Sequence, residues 1–185
     1  LHAAVVPLEG VVAPGVDPKL AASARDLFYQ AVAQANIGII SIESGEYEQA
    51  RAQFRESLGG FRALGDRHRE AHALYHLGRA ELQLGAWAAA QHAFGQAIPL
   101  HQELGLNSRL ANVHWAQGFL LHMLGDSAGS ERAYRQAQAQ ARSDGEPARM
   151  LAADCAYQLG FLYQTEGRWS EALAVRHASH VVCDN

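Results

Sequence analysis

The chain has 185 residues, 49% of them hydrophobic, with 15 basic against 19 acidic side chains and a formal net charge of -4. That balance describes a chain able to build an ordered core and excludes a disordered polyelectrolyte. It also argues against nucleic acid as a direct partner, because phosphate binding needs a concentrated basic face and the arginines here are scattered.

No stretch supplies the roughly 18 to 20 apolar residues that a membrane helix needs, so no membrane partner is expected. The N-terminus lacks the basic region of a secretory signal and begins at Leu1, which reads as a processed chain or an excised domain. Cys155 and Cys183 are too few for a disulfide framework and read as free thiols, which places the chain in the cytoplasm.

Residues 1–22 read as one extended segment. Pro7, Pro14 and Pro18 are interleaved with Gly10 and Gly15, a density that forbids a long helix. The run Ala3–Leu8 is nonetheless apolar, so the segment either packs on this protein or a neighbour, or is the remnant of a longer chain. From 23 to 182 the reading is helical and repetitive. Glycines fall at Gly38, Gly78, Gly118 and Gly160, spaced by 40, 40 and 42 residues, and a second glycine follows each by seven, at Gly45, Gly85, Gly125 and Gly167. Five residues on comes a small residue (Ala50, Ala90, Ser130, Ala172). Four further comes a bulky one (Phe54, Phe94, Tyr134), except that Arg176 stands in the fourth copy. The repeats run at about 26–65, 66–105, 106–145 and 146–182.

Fixed self-similarity at this period means a stacked array, because one unit cannot bury its apolar face alone. Within a unit, Ala73, Leu74, Leu77, Ala80 and Leu84 recur at helical spacing, Gly85 stops the helix, and Trp87, Ala90, Phe94 and Ala97 start the next stripe. Asp66 and Asp126 sit where a side chain would cap a helix start, and Pro147 suits a first turn. The glycines of the first series let paired helices approach closely. Pro99 and Gly59–Gly60 are expected to bend or end the second helices of their repeats.

Leu77–Gly78 with Ala90, Phe94 and Ala97, and Leu159–Gly160 with Tyr163 and Ala172, resemble the tetratricopeptide repeat. The resemblance covers roughly 26–180. It implies an all-α fold, a right-handed α-solenoid of about four antiparallel helix pairs, and non-catalytic binding of a protein or peptide. The period exceeds the family's usual 34, which is read as a longer first helix in each pair, like the long variants of bacterial regulators and adaptor scaffolds. The resemblance also places a concave groove on the first helices. Its positions are His72, Tyr75, Arg79 and Leu82 in repeat two; Asn112, Trp115, Phe119 and His122 in repeat three; Asp154, Tyr157, Phe161 and Gln164 in repeat four; and the apolar set Val32, Ala35, Ile39 and Ile42 in repeat one. Ala35 and Ile39 replace the polar residues of the family's carboxylate clamp, which disfavours a chaperone tail as ligand. The aromatic pairs at i, i+4 read either as interface anchors or as core.

Two other functions remain open: a ligand-sensing segment of a larger regulator, and a self-association module that meets a second copy through an uncapped end or the N-terminal segment. His68, His72 and His76 step by four along one helix, a spacing that can put two imidazoles on one metal, but no third ligand completes the set, and neither metal nor other cofactor is expected. No nucleophile motif or phosphate-cradling loop is present, so no enzymatic role is expected.

Overall fold

The computed structural model describes residues 18–141 and 145–183. Among them are eight helices and no strand: α1 (Pro18–Glu43), α2 (Tyr47–Ala63), α3 (Arg67–Gln83), α4 (Trp87–Glu103), α5 (Asn107–Met123), α6 (Ser127–Gln140), α7 (Gly145–Thr165) and α8 (Trp169–Cys183). They pack as four antiparallel pairs in an α-solenoid, each pair resting on the next. Backbones of α1 and α3, α3 and α5, and α5 and α7 come together, while those of the even helices do not. The odd helices therefore line the inner side of the stack. No described helix is long and apolar enough to cross a membrane.

Helix ends are set by one device used repeatedly. At Gly85 the chain turns with φ of 70°; its N–H donates to the Leu82 carbonyl at 3.1 Å, and the Ala86 N–H to that of Glu81 at 2.9 Å. That is the Schellman closure, which uses the left-handed region that glycine enters without steric cost. The same two bonds recur at Gly45, Gly65, Gly105, Gly125 and Gly167. From Gly45 through Gly65, Gly85 and Gly105 to Gly125 the stops fall every 20 residues, so the 40-residue period is two equal halves. The expectation of a longer first helix fails in the second pair, where α3 and α4 both have 17 residues; in the others the first helix is longer, 26 against 17 for α1 and α2, 17 against 14 for α5 and α6, and 21 against 15 for α7 and α8. Asp66 and Asp126 cap α3 and α6 as expected, accepting from the N–H groups of Arg69 at 3.0 Å and Gly129 at 2.8 Å.

Three further expectations are corrected. Residues 18–22 are not extended but open α1, where the fixed φ of Pro18 suits a first turn; residues 1–17 lie outside the described part. Helix α4 does not end at Pro99 but runs through it to Glu103. Pro99 and Gly95, whose carbonyl loses its partner, are both exposed, so water can satisfy that oxygen. Helix α2 likewise runs through Gly59–Gly60, because Gly60 is a packing position: a Cβ there would stand 2.7 Å from that of Ala31 on α1.

Within pairs the small-residue argument holds. A Cβ on Gly78 would come 2.4 Å from the Phe94 ring, one on Gly118 2.8 Å from Tyr134, and one on Gly38 2.9 Å from Phe54. The aromatic of each second helix thus lies flat on the glycine of the first, and all three rings are buried. Buried carboxylates then tie one pair to the next. Glu81 of α3 receives Arg55 of α2 at 2.6 Å, and Glu70 receives Arg62 at 2.9 Å. Burying an acid without such a cation would be costly.

Candidate binding groove

Side chains projecting from α3, α5 and α7 at the expected groove positions form two kinds of surface. On α3, Tyr75 is half-buried against the core with the Arg79 guanidinium 5.8 Å above its ring. Burial pushes the Tyr75 phenol above its ordinary pKa, with Arg79 opposing. His72 is half-buried and its Nε2 lies 3.1 Å from Nε2 of the buried His76, so one proton is shared along that line. Burial, and then the neighbouring Arg109, His101 and His68, pull His72 down to about 4. Burial and the neighbouring His72, Arg79 and Arg109 pull His76 down to about 3. Both imidazoles are neutral near pH 7.

His76 was missed by the groove pattern, being one turn beyond His72 and turned inward. It stacks on Phe54 of α2, centroids 5.3 Å apart, and meets Tyr75 edge-on at 4.9 Å. The i, i+4 step from His72 was the signal available. Among the described residues no three His, Cys, Asp or Glu side chains are grouped to hold a metal ion.

On α5, Trp115 and Phe119 stack at 6.4 Å. Trp115 is half-buried between two core clusters, with Nε1 buried and unpartnered. Asn112 is partly buried and its amide donates to the Ser108 carbonyl at 3.1 Å. His122, at the far end of α5, meets Phe161 of α7 edge-on at 5.8 Å, joining the two helices into one aromatic surface. On α7, Tyr157 is 62% exposed, Phe161 and Asp154 are also exposed, and Gln164 is partly so. The apolar set of α1 goes the other way: Val32, Ala35, Ile39 and Ile42 pack against the core. Cys155, one residue past Asp154, is buried, and burial, then the Asp154 carboxylate, raises its thiol to about 12, which favours the protonated form near pH 7.

The family model for the tetratricopeptide repeat matches residues 22–103, which span α2, α3, α4 and most of α1. In sequence, the chain is 36% identical over 103 residues to the regulatory protein AfsR of Streptomyces coelicolor, a match covering 56% of this chain and 10% of that protein. In structure, it is similar to BtubC from P. vanneervenii at a TM-score of 0.76 and 17% identity, covering 90% of this chain and 72% of that one. It is equally similar to the apo form of RapI, again at 0.76, with 11% identity and coverage of 86% and 44%. At those identities the likeness shows the shared fold alone.

Proposed function

Taking the chain as a stack of tetratricopeptide-type repeats, we propose that it is a non-catalytic cytoplasmic scaffold that holds a protein or peptide segment along the inner face of α3, α5 and α7. The observation that carries this is the contact of His122 with Phe161, which makes the aromatics of α5 and α7 continuous while leaving Tyr157 and Phe161 open to solvent. Aromatic side chains supply large contact area at small entropic cost, and Arg79 and Asn112 supply polar groups that fix register. A segment of mixed apolar and polar sequence fits such a surface.

The test is a peptide selected from a random display library on the wild-type chain. Phe161→Ala and Tyr157→Ala should each weaken it about tenfold or more, near 1.4 kcal/mol, while both residues are exposed enough to leave Tm nearly unchanged. Equal binding to all three proteins removes the groove reading. Trp115 is a poorer probe, since its ring also supports the core.

The likeness to a regulatory protein favours a second reading of the same surface. In it, the array is the sensing segment of a longer regulator, and occupancy of the groove shifts the packing of successive pairs. A selected peptide that changes the protein's hydrogen exchange across α1–α4, far from the aromatic face, would support that version.

A further inference from the structure

The charges from α2 to the start of α5 pair off one by one, and two of them are left over. Of the seven arginines from Arg51 to Arg109, five hold a carboxylate: Arg51 and Arg55 on Glu81, Arg62 on Glu70, Arg67 on Glu70 and Glu103, and Arg69 on Asp66. The remaining acid of that stretch, Glu56, accepts from the Gln34 amide at 2.6 Å. Among the described residues, Arg79 and Arg109 have no carboxylate within ion-pair distance.

Both belong to the groove. Arg79 is partly buried one turn after Tyr75, with its guanidinium 5.8 Å above that ring. Arg109 is exposed, three residues before Asn112 in the groove row of α5. Both act on His76, so they flank one place. The groups that act most on the His72–His76 pair from outside it are Arg109, Arg79, His101 of α4 and the exposed His68, and all four are basic. This local excess of positive charge stands in a chain whose net charge is -4. Along the stack the row changes sign: the place of His72 is taken by Asn112 on α5 and by the exposed Asp154 on α7, and that of Arg79 by Phe119 and Phe161. A negative charge is therefore attracted at the α3 end and repelled at the α7 end.

We propose that the α3 end of the groove receives acidic side chains of a bound peptide, aspartate or glutamate, on Arg79 and Arg109, while apolar residues of the same peptide lie on Phe119 and Phe161. The proposal rests on the groove reading and adds to it the chemistry and the direction of the bound segment. Guanidinium groups hold carboxylates through charge-assisted hydrogen bonds in a planar fork. A partly buried guanidinium without a counter-charge has already lost part of its water, and a carboxylate replaces what was lost. Half-buried aromatic neighbours lower the local dielectric and strengthen the pairing.

The probe is the tightest peptide selected from a random display library on the full wild-type chain, synthesised with an amidated C-terminus. A copy with every Asp and Glu changed to Asn and Gln should bind about tenfold or more weaker, and so should the original peptide on Arg79→Gln and on Arg109→Gln. Arg109 is exposed, so circular dichroism should report that variant as folded, which keeps the test decisive if Arg79→Gln disturbs Tyr75. Arg109→Glu should weaken the original peptide further, and a copy with its acids changed to lysine should regain affinity on that variant. A peptide weakened by Phe161→Ala but bound equally as its neutral copy and by both arginine variants keeps the groove and overturns this proposal. Loss on the arginine variants without loss in the neutral copy overturns it as well, since the arginines then act without meeting an acid. A peptide indifferent to Phe161→Ala, Tyr157→Ala and both arginine variants removes the groove reading with it.

Discussion

The two halves of this solenoid hold nearly the same backbone by different means. From α1 to α5 one continuous apolar core runs through Ala31, Phe54, Leu74, Phe94 and Leu120, keyed by aromatic rings lying on glycines. Beyond it the core divides into two small clusters, one around Ala111, Ala141, Ala148 and Ala152, the other around Tyr134, Leu159, Tyr163 and Ala172. In the last pair a Cβ on Gly160 would stand 3.5 Å from the Arg176 side chain, with no ring among its nearest atoms. A polar mesh ties this pair to the preceding one: Glu131 of α6 accepts from Arg135 at 3.0 Å, from the Tyr163 hydroxyl of α7 at 2.9 Å and from Arg168 at 2.9 Å. The Arg168 guanidinium also lies 4.3 Å over the Tyr163 ring and pairs with Glu166 and Glu171.

Removing the key should hurt the first half most. Phe94→Ala empties a fully buried site and should cost about 3–5 kcal/mol by chemical denaturation, whereas Arg176→Ala should cost under about 1. Equal losses would mean that the apolar and polar halves are stabilised alike.

Acid should separate the halves next. His72 and His76 have folded pKa values pulled below the ordinary 6.5, so the unfolded chain binds protons there first. Their contribution is whole above pH 6.5 and falls as pH drops toward 4, by at most about 1.4 kcal/mol per pH unit for each histidine. Glu131 behaves differently. Burial would raise its carboxyl, but hydrogen bonds from Arg168, Tyr163 and Arg135 prevail and hold it below its ordinary 4.5. Its contribution is therefore present above pH 4.5 and lost below. Thermal scans between pH 7 and 5 should show decline originating in α2–α4, and His72→Gln with His76→Gln should flatten it. An unchanged slope would move the acid sensitivity to His101 and His114, which burial also depresses.

The glycines give a contrast in sign. Gly78→Ala drives a methyl to 2.4 Å from Phe94 and should destabilise by about 1–3 kcal/mol. Gly160→Ala meets only ordinary contacts within a helix and should stabilise by about 0.5–1 kcal/mol. If both destabilise, the fourth pair is as tightly keyed as the second.

Much of this was legible in the sequence. Backbone devices leave local marks: a turn that needs positive φ selects glycine, and a close crossing selects glycine opposite an aromatic. The periodic glycines and Phe54, Phe94 and Tyr134 therefore announced helix pairs, stops and stacking. The 20-residue spacing of the stops is also written there, in Gly65 and Gly105, although the long period by itself suggests only a longer first helix. Pro99 and Gly60 misled, because the sequence does not say whether a helix breaker lies on a wet face or beneath a neighbour's Cβ.

What the sequence could not determine was which side chains at one helical spacing face the groove, the core or the end of the stack. Trp115 and Tyr157 occupy equivalent places in the groove pattern, yet one is wedged between core clusters and the other stands open. Ile40 and Ala80 hold the same position in their repeats, yet among the described residues only Ala80 is covered. Periodicity fixes the direction of a side chain on its own helix; whether another helix lies in that direction is decided only by the packing of the stack.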